Sequence, residues 1–178
     1  LFLALTAFSQ DRGIRFSLYP HATYTDQRTT IGVGACFDIP WGEKFGVFYS
    51  YGIGARLEGG LYAHASATTV AGTWLLSNVD GENIFRTIGA VLLFIPEGVS
   101  YNIVDDGNTM LTSYLTFNGY EYEKVDGIED GMVTFGTGLA FTKNIGDKMF
   151  IGFEAGTRRG YVQETWLAEG KIRVGWNL

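Results

Sequence analysis

Residues 149–161 read MFIGFEAGTRRGY, and the alternation in that stretch decides the fold. Met149, Ile151, Phe153, Ala155 and Thr157 point one way, and Gly152, Glu154, Gly156 and Arg158 the other, because successive side chains of a strand leave on opposite faces. In 169–178, Ile172, Val174, Trp176 and Leu178 alternate with Lys171, Arg173, Gly175 and Asn177. In 131–142, Val133, Phe135, Leu139 and Phe141 oppose Thr134, Gly136, Gly138, Ala140 and Thr142. Residues 30–39 set Ile31, Val33, Ala35, Phe37 and Ile39 against Gly32, Gly34, Cys36 and Asp38, and 45–57 continue the pattern. One face is apolar, with aromatics near its ends; the other is small, glycine-rich and charged. Small residues leave room for Arg and Glu in a narrow interior while bulky ones meet lipid. A soluble, lipocalin-like ligand-binding barrel would reverse the faces, and alternation alone does not say which face is wet.

The fold class is therefore all-β, an eight-stranded antiparallel up-and-down transmembrane β-barrel. The predicted strands are 14–24, 30–39, 45–57, 62–76, 84–95, 131–142, 149–162 and 169–178, each near the ~9–11 residues that a tilted strand needs to cross hydrocarbon. In 62–76 the parity breaks between Ala63, Ala65, Ala67 and Val70, Trp74, Leu76, which a bulge or register shift would explain. Three short Gly-containing turns lead into aromatics at 42–45, 81–85 and 146–150, and they alternate with the connections 25–29, 58–62, 96–130 and 163–169. Within the long connection, Asn118-Gly119 is a turn signal and 109–117 is strand-like, so a ten-stranded barrel stands beside the eight-stranded one.

The formal charge of −6 is uneven. Residues 96–130 hold eight acids (Glu97, Asp105, Asp106, Glu121, Glu123, Asp126, Glu129, Asp130) against Lys124, a sum of −7; the remaining 11 acids and 12 bases sum to +1. A near-neutral body with one acidic segment excludes a basic stripe for nucleic acid and a polybasic patch for anionic headgroups. A single cysteine, Cys36, excludes an intrachain disulfide and a thiolate metal cluster. LFLALTAFSQ, residues 1–10, reads as the remnant of a secretory signal peptide.

The predicted lumen charges Arg15, Asp38, Arg56, Glu58, Glu154, Arg158, Lys171 and Arg173, with His21, form an ion-pair network, since buried charges this close must pair. An eight-stranded lumen is filled by such side chains; exchange of pairs would open a narrow gated, porin-like path for small solutes. The acidic 96–130 segment is read as a long extracellular loop. Its aromatics and acids, Tyr101, Asp105, Asp106, Tyr114, Phe117, Tyr120, Tyr122, Asp126 and Asp130, make a partner surface, because aromatics dominate contact energies at interfaces. Asp105-Asp106-Gly107-Asn108 and 126–131 carry oxygen ligands for a divalent cation, but Ile128 stands where a calcium loop needs its third ligand. No metal and no cofactor is assigned, and no phosphate loop or Rossmann fingerprint is present.

The FSQ-ended leader, the C-terminal hairpin 148–178 ending KIRVGWNL and the repeated Gly-acid-Lys/Asn turns resemble small outer-membrane β-barrel proteins of the OmpA/OmpX-like class, of the kind common in Bacteroidetes-type bacteria. The resemblance covers 14–178 and implies a Gram-negative outer-membrane address and outer-membrane lipid and lipopolysaccharide as surroundings. It further implies a monomer, a structural or binding role, an extracellular or envelope protein as partner, and no nucleic acid. His64-Ala65-Ser66 also resembles the His-x-Ser pair of outer-membrane lipid A deacylases, with Ala67 where that family has Asn; no catalytic residue is assigned on it.

Overall fold

The computed structural model of the chain describes residues 13–25, 28–78, 83–162 and 164–178; the leader remnant expected at 1–10 lies outside the described residues. Alternating stretches become strands β1 (Arg15–Thr25), β2 (Arg28–Trp41), β3 (Phe45–Arg56), β4 (Leu61–Ser66), β5 (Gly98–Asp105), β6 (Thr109–Val125), β7 (Ile128–Ile145), β8 (Met149–Gly160) and β9 (Trp166–Asn177). Helices α1 (Ala67–Asn78) and α2 (Asn83–Leu92) lie between β4 and β5. All strand pairs are antiparallel, and β1 closes the ring on β9, with Arg15 opposite Asn177 and Thr25 opposite Leu167.

The nine strand segments occupy eight wall positions, because β4 and β5 share one. β3 pairs with β4 through Gly52–Ala55 and with β5 through Phe45–Phe48. On the other side β6 pairs with β4 through 119–124 and with β5 through 110–116. Residues 67–97 thus leave a wall strand halfway along its length and return to the same place. Glu97 bridges the break. Its N–H donates to Phe48 O (3.0 Å), its carbonyl accepts from Phe117 N and Asn118 N (3.1 and 3.0 Å), and its carboxylate accepts from Ser50 N (2.8 Å). Backbone groups that lose a strand partner are thereby satisfied, as a polar group shut away from water requires.

The bulky apolar residues face outward: Leu18, Ile31, Val33, Ile53, Leu139, Phe141, Phe153 and Ile172 are exposed. The interior holds the charged, hydroxyl and glycine positions, with Tyr19, Phe48, Tyr114 and Phe150 packed among them, the reverse of the facing that a lipocalin-like barrel requires. Aromatics ring the two ends of the belt. Trp41, Phe45, Tyr101 and Trp176 lie at the end carrying the chain termini, and Tyr24, Tyr161 and Trp166 lie at the far end, as in the aromatic girdles of membrane barrels. Trp166 and Trp176 are ten residues apart on β9. That is about 33 Å along the strand and about 25 Å along the axis at a ~40° tilt, the height of a lipid-facing band.

The eightfold wall agrees with the sequence, but its membership does not. The strand predicted at 84–95 is α2 with its return, and 62–76 is a short strand followed by α1. The signal lay in spacing: Val70 and Trp74, then Ile84, Ile88 and Val91, recur every three or four residues. The long extracellular loop 96–130 is also overturned, because β5, all of β6 and the start of β7 fill it. Asn118-Gly119 is a bulge inside β6, where the pairing with β7 shifts between Thr116 and Gly119. The hairpin turn is Asp126-Gly127, both at positive φ (51° and 80°), a geometry that suits Asp-Gly.

Candidate functional site: the charged lumen

Inward positions of consecutive strands stack their ionic groups into one column. Near the terminal end, the Arg15 guanidinium lies 3.7 Å over the Phe150 ring and donates to Thr142 Oγ1 (3.3 Å). Above it the fully buried Arg173 donates to Ser17 Oγ (2.9 and 3.1 Å), Tyr114 Oη (2.7 Å), Glu154 Oε2 (3.2 Å) and the Asp38 carboxylate. Lys171 Nζ joins Glu154 Oε1 (2.8 Å) to Glu169 Oε1 (3.1 Å). Arg158 contacts Glu169 Oε1 (2.9 Å), Glu121 Oε1 (2.9 Å) and Glu97 Oε1 (3.3 Å). Arg56 pairs with Glu123 at the far end. Every cation in the column has a carboxylate or an aromatic face as partner, which is what burial of charge demands.

The structure brings Arg15, Asp38, Arg56, Glu154, Arg158, Lys171 and Arg173 into this lumen, with His21. Glu58 is not among them: it lies in the exposed β3–β4 turn, where Oε1 accepts from Thr29 N (3.3 Å). The sequence reading missed Glu97, Glu121, Glu123 and Glu169 as lumen groups. For Glu121 and Glu123 the parity with Tyr120 and Tyr122 was the available signal. Glu97, beside Pro96 and outside any alternating run, gave none.

The predicted partner surface does not form one face. Tyr114 is a buried lumen residue, while Phe117, Tyr120 and Tyr122 are on β6 near the far half of the wall. Tyr101 packs on Phe45 (5.1 Å between centroids) at the terminal end, with Asp105 at the end of β5 and Asp106 in the adjoining β5–β6 turn. Asp126 and Asp130 belong to the β6–β7 hairpin at the other end. The carboxylates of the β5–β6 turn are taken by their own turn: Gly107 N donates to Asp105 Oδ1 (3.0 Å), and Asn108 N and Thr109 N donate to Asp106 Oδ1 (2.9 and 2.6 Å). Among the described residues no group of His, Cys, Asp and Glu is arranged to hold a metal.

His64 does not use Ser66. Ser66 Oγ accepts from Asn118 Nδ2 (2.9 Å), whereas His64 Nε2 is 2.9 Å from Ser50 Oγ and Nδ1 is 2.9 Å from Glu121 Oε1. A hydroxyl, an imidazole and a carboxylate in series have the spacing of an activated nucleophile. Here the hydroxyl is 2% exposed and donates to Glu97 Oε2 (2.5 Å), so its proton already has an acceptor inside the plug. Depressions open at the two mouths. One of about 190 Å³ is walled by Arg28, Arg56, Glu123 and Asp130, and one of about 440 Å³ by Arg15, Asp105, Met110 and Asn144. The column separates them.

No protein-family description matches the sequence, and no curated protein matches it. Solved structures do match in fold. The N-terminal β-barrel domain of Pseudomonas aeruginosa OprF superposes with a TM-score of 0.55 at 10% identity, covering 94% of this chain and 100% of that one. Neisserial surface protein A gives 0.57 at 6% identity over 93% and 96%. Ail, the attachment invasion locus protein of Yersinia pestis, gives 0.53 at 9% identity over 93% and 97%, and has also been crystallised with the heparin analogue sucrose octasulfate. The fold is that of small eight-stranded outer-membrane β-barrels.

Proposed function

We propose that this chain is an integral protein of a Gram-negative outer membrane whose lumen is permanently plugged and whose role is structural or binding rather than transport. The ion-pair column carries this reading: Arg173, fully buried and held by Ser17, Asp38, Tyr114 and Glu154, sits across the axis where a conduit would have to pass. The aromatic rings about 25 Å apart support the membrane setting, with lipid and lipopolysaccharide around the belt. Because most of 96–130 is wall, we assign the binding function to the far rim, whose connections include 57–60 and 161–165, longer than those at the terminal end. That rim carries Glu58, Asp126, Glu129, Asp130 and Glu164 against Arg28, Lys124 and Arg159. Its acidic balance favours a basic or uncharged envelope partner over a polyanion such as the analogue bound by Ail.

The test is twofold. Folded protein extracted in detergent should migrate differently from boiled protein on a gel, and purified protein in planar bilayers should stay silent. Steady conductance that changes with Glu154→Gln or Arg158→Met would replace the plugged reading with a gated channel. Solubility without detergent would overturn the membrane assignment.

A further inference from the structure

The helical hairpin that interrupts the fourth wall position is unlike a rim loop. It leaves at half height, between β3 residues paired with β4 and those paired with β5. Its base is on the outside of the wall, where the outward Tyr49 Oη donates to Phe94 O (2.7 Å). α1 and α2 pack closely through Gly72 and Gly89; a Cβ on Gly72 would lie 2.6 Å from the Gly89 carbonyl oxygen. That contact uses up the glycine face, yet Val70, Trp74, Ile84, Phe85, Ile88 and Val91 remain exposed. An exposed apolar surface of this extent on a two-helix unit needs a partner.

We infer that the hairpin is a lateral wing embedded in the acyl chains of the bilayer, an extension of the apolar belt into the surrounding lipid. Three observations select lipid as the occupant. The wing starts from the middle of the apolar belt, so its root is already surrounded by the surface that meets hydrocarbon. Its sequence is nearly free of charge: within 67–95 only Asp80, Glu82 and Arg86 are charged, and in the two described helices Arg86, near the start of α2, is the one charged residue. Its length fits. Twelve residues of α1 rise about 18 Å, against about 12 Å from the middle of the belt to its edge, so an inclined wing brings the start of α2, with Arg86, to the headgroups. Each helix keeps its own backbone bonds satisfied, which is what allows it to stand in hydrocarbon away from the barrel.

This inference rests on the membrane reading above, and the experiment separates the two. Trp41, Trp166 and Trp176 are replaced by Phe, leaving Trp74 as the sole tryptophan, and the protein is reconstituted into vesicles. A companion carries Trp74→Phe and Phe153→Trp, reporting the barrel belt. Lipids brominated in the acyl chain should quench both reporters several-fold, and aqueous iodide should quench neither. Quenching of the Phe153→Trp reporter by bromine with Trp74 quenched by iodide instead would put the wing in water and overturn the inference while the barrel reading stands. Trp74 shielded from both quenchers would mean that protein covers it, a second copy or another chain, and would also overturn it. Loss of bromine quenching at the belt reporter would take down the membrane reading itself.

Discussion

Glu97 is the residue on which the most structure converges. Its backbone and carboxylate close the wall between β4 and β5, and the same carboxylate faces His64, Arg158 and Ser50. Glu97→Ala leaves Arg158 short of a partner and Ser50 N without an acceptor; removing one member of a buried ionic group costs about 3–5 kcal/mol. Chemical unfolding of reconstituted protein should show that loss, and Glu97→Gln a smaller one, because an amide oxygen can still accept from Ser50 N. A Glu97→Ala barrel as stable as wild type would mean that the break needs no rivet. At the β5–β6 rim, the carboxylate of exposed Asp106 accepts from Thr109 N and Asn108 N, and these bonds hold it below the usual aspartate range. A depressed folded value stabilises the turn above the ordinary aspartate range, and the effect is lost as pH falls through the lower, folded value. Protection of the Asn108 and Thr109 amides, measured against their intrinsic exchange rates, should therefore be lost only under strongly acidic conditions, and Asp106→Ala should remove it at neutral pH.

Elements were legible where one period ran uninterrupted and illegible where two periods met. β8 and β9 could be placed from MFIGFEAGTRRGY and KIRVGWNL because an apolar outer face and a charged lumen impose strict parity. The segment around Ala63–Leu76 changes from period two to a helical period at Ser66, and a strand reading absorbs that change as a bulge. Nothing in local propensity announces that a wall strand will stop at half height, since the reason is Glu97, thirty-one residues further on. The acidic surplus misled in the same way: a run of acids reads as solvated loop, yet in β6 alternate acids face inward to meet Arg56 and Arg158. If the wing is packed independently of the wall, Gly72→Val should spread α1 from α2 and lower the helical circular dichroism signal. Heat-modifiable migration of the barrel should persist. Loss of both would show that the hairpin is needed to close the wall.

At the scale of the whole molecule, the net charge of −6 has no single location. Glu97 and Glu121 are spent inside against Arg158 and His64, and Glu123 against Arg56. The remaining acids of 96–130 divide between opposite ends, Asp105 and Asp106 beside the terminal end and Asp126, Glu129 and Asp130 at the far one. The two ends therefore meet different compartments if the barrel spans a membrane. The connections at the terminal end, 42–44, 106–108 and 146–148, are uniformly short, whereas the far end carries 57–60 and 161–165 and the tip of the longest hairpin. Membrane barrels keep short turns on the periplasmic side, which predicts Asp126 outside and Asp106 inside. Cysteine placed at either position, in a Cys36→Ser background, reads this directly, since both turns are exposed. An impermeant maleimide should label Asp126→Cys on intact cells, and Asp106→Cys only after the outer membrane is permeabilised. The reverse pattern would invert the barrel and move the partner surface to the Asp105–Asp106 rim, and equal labelling of both would mean that no membrane lies between them.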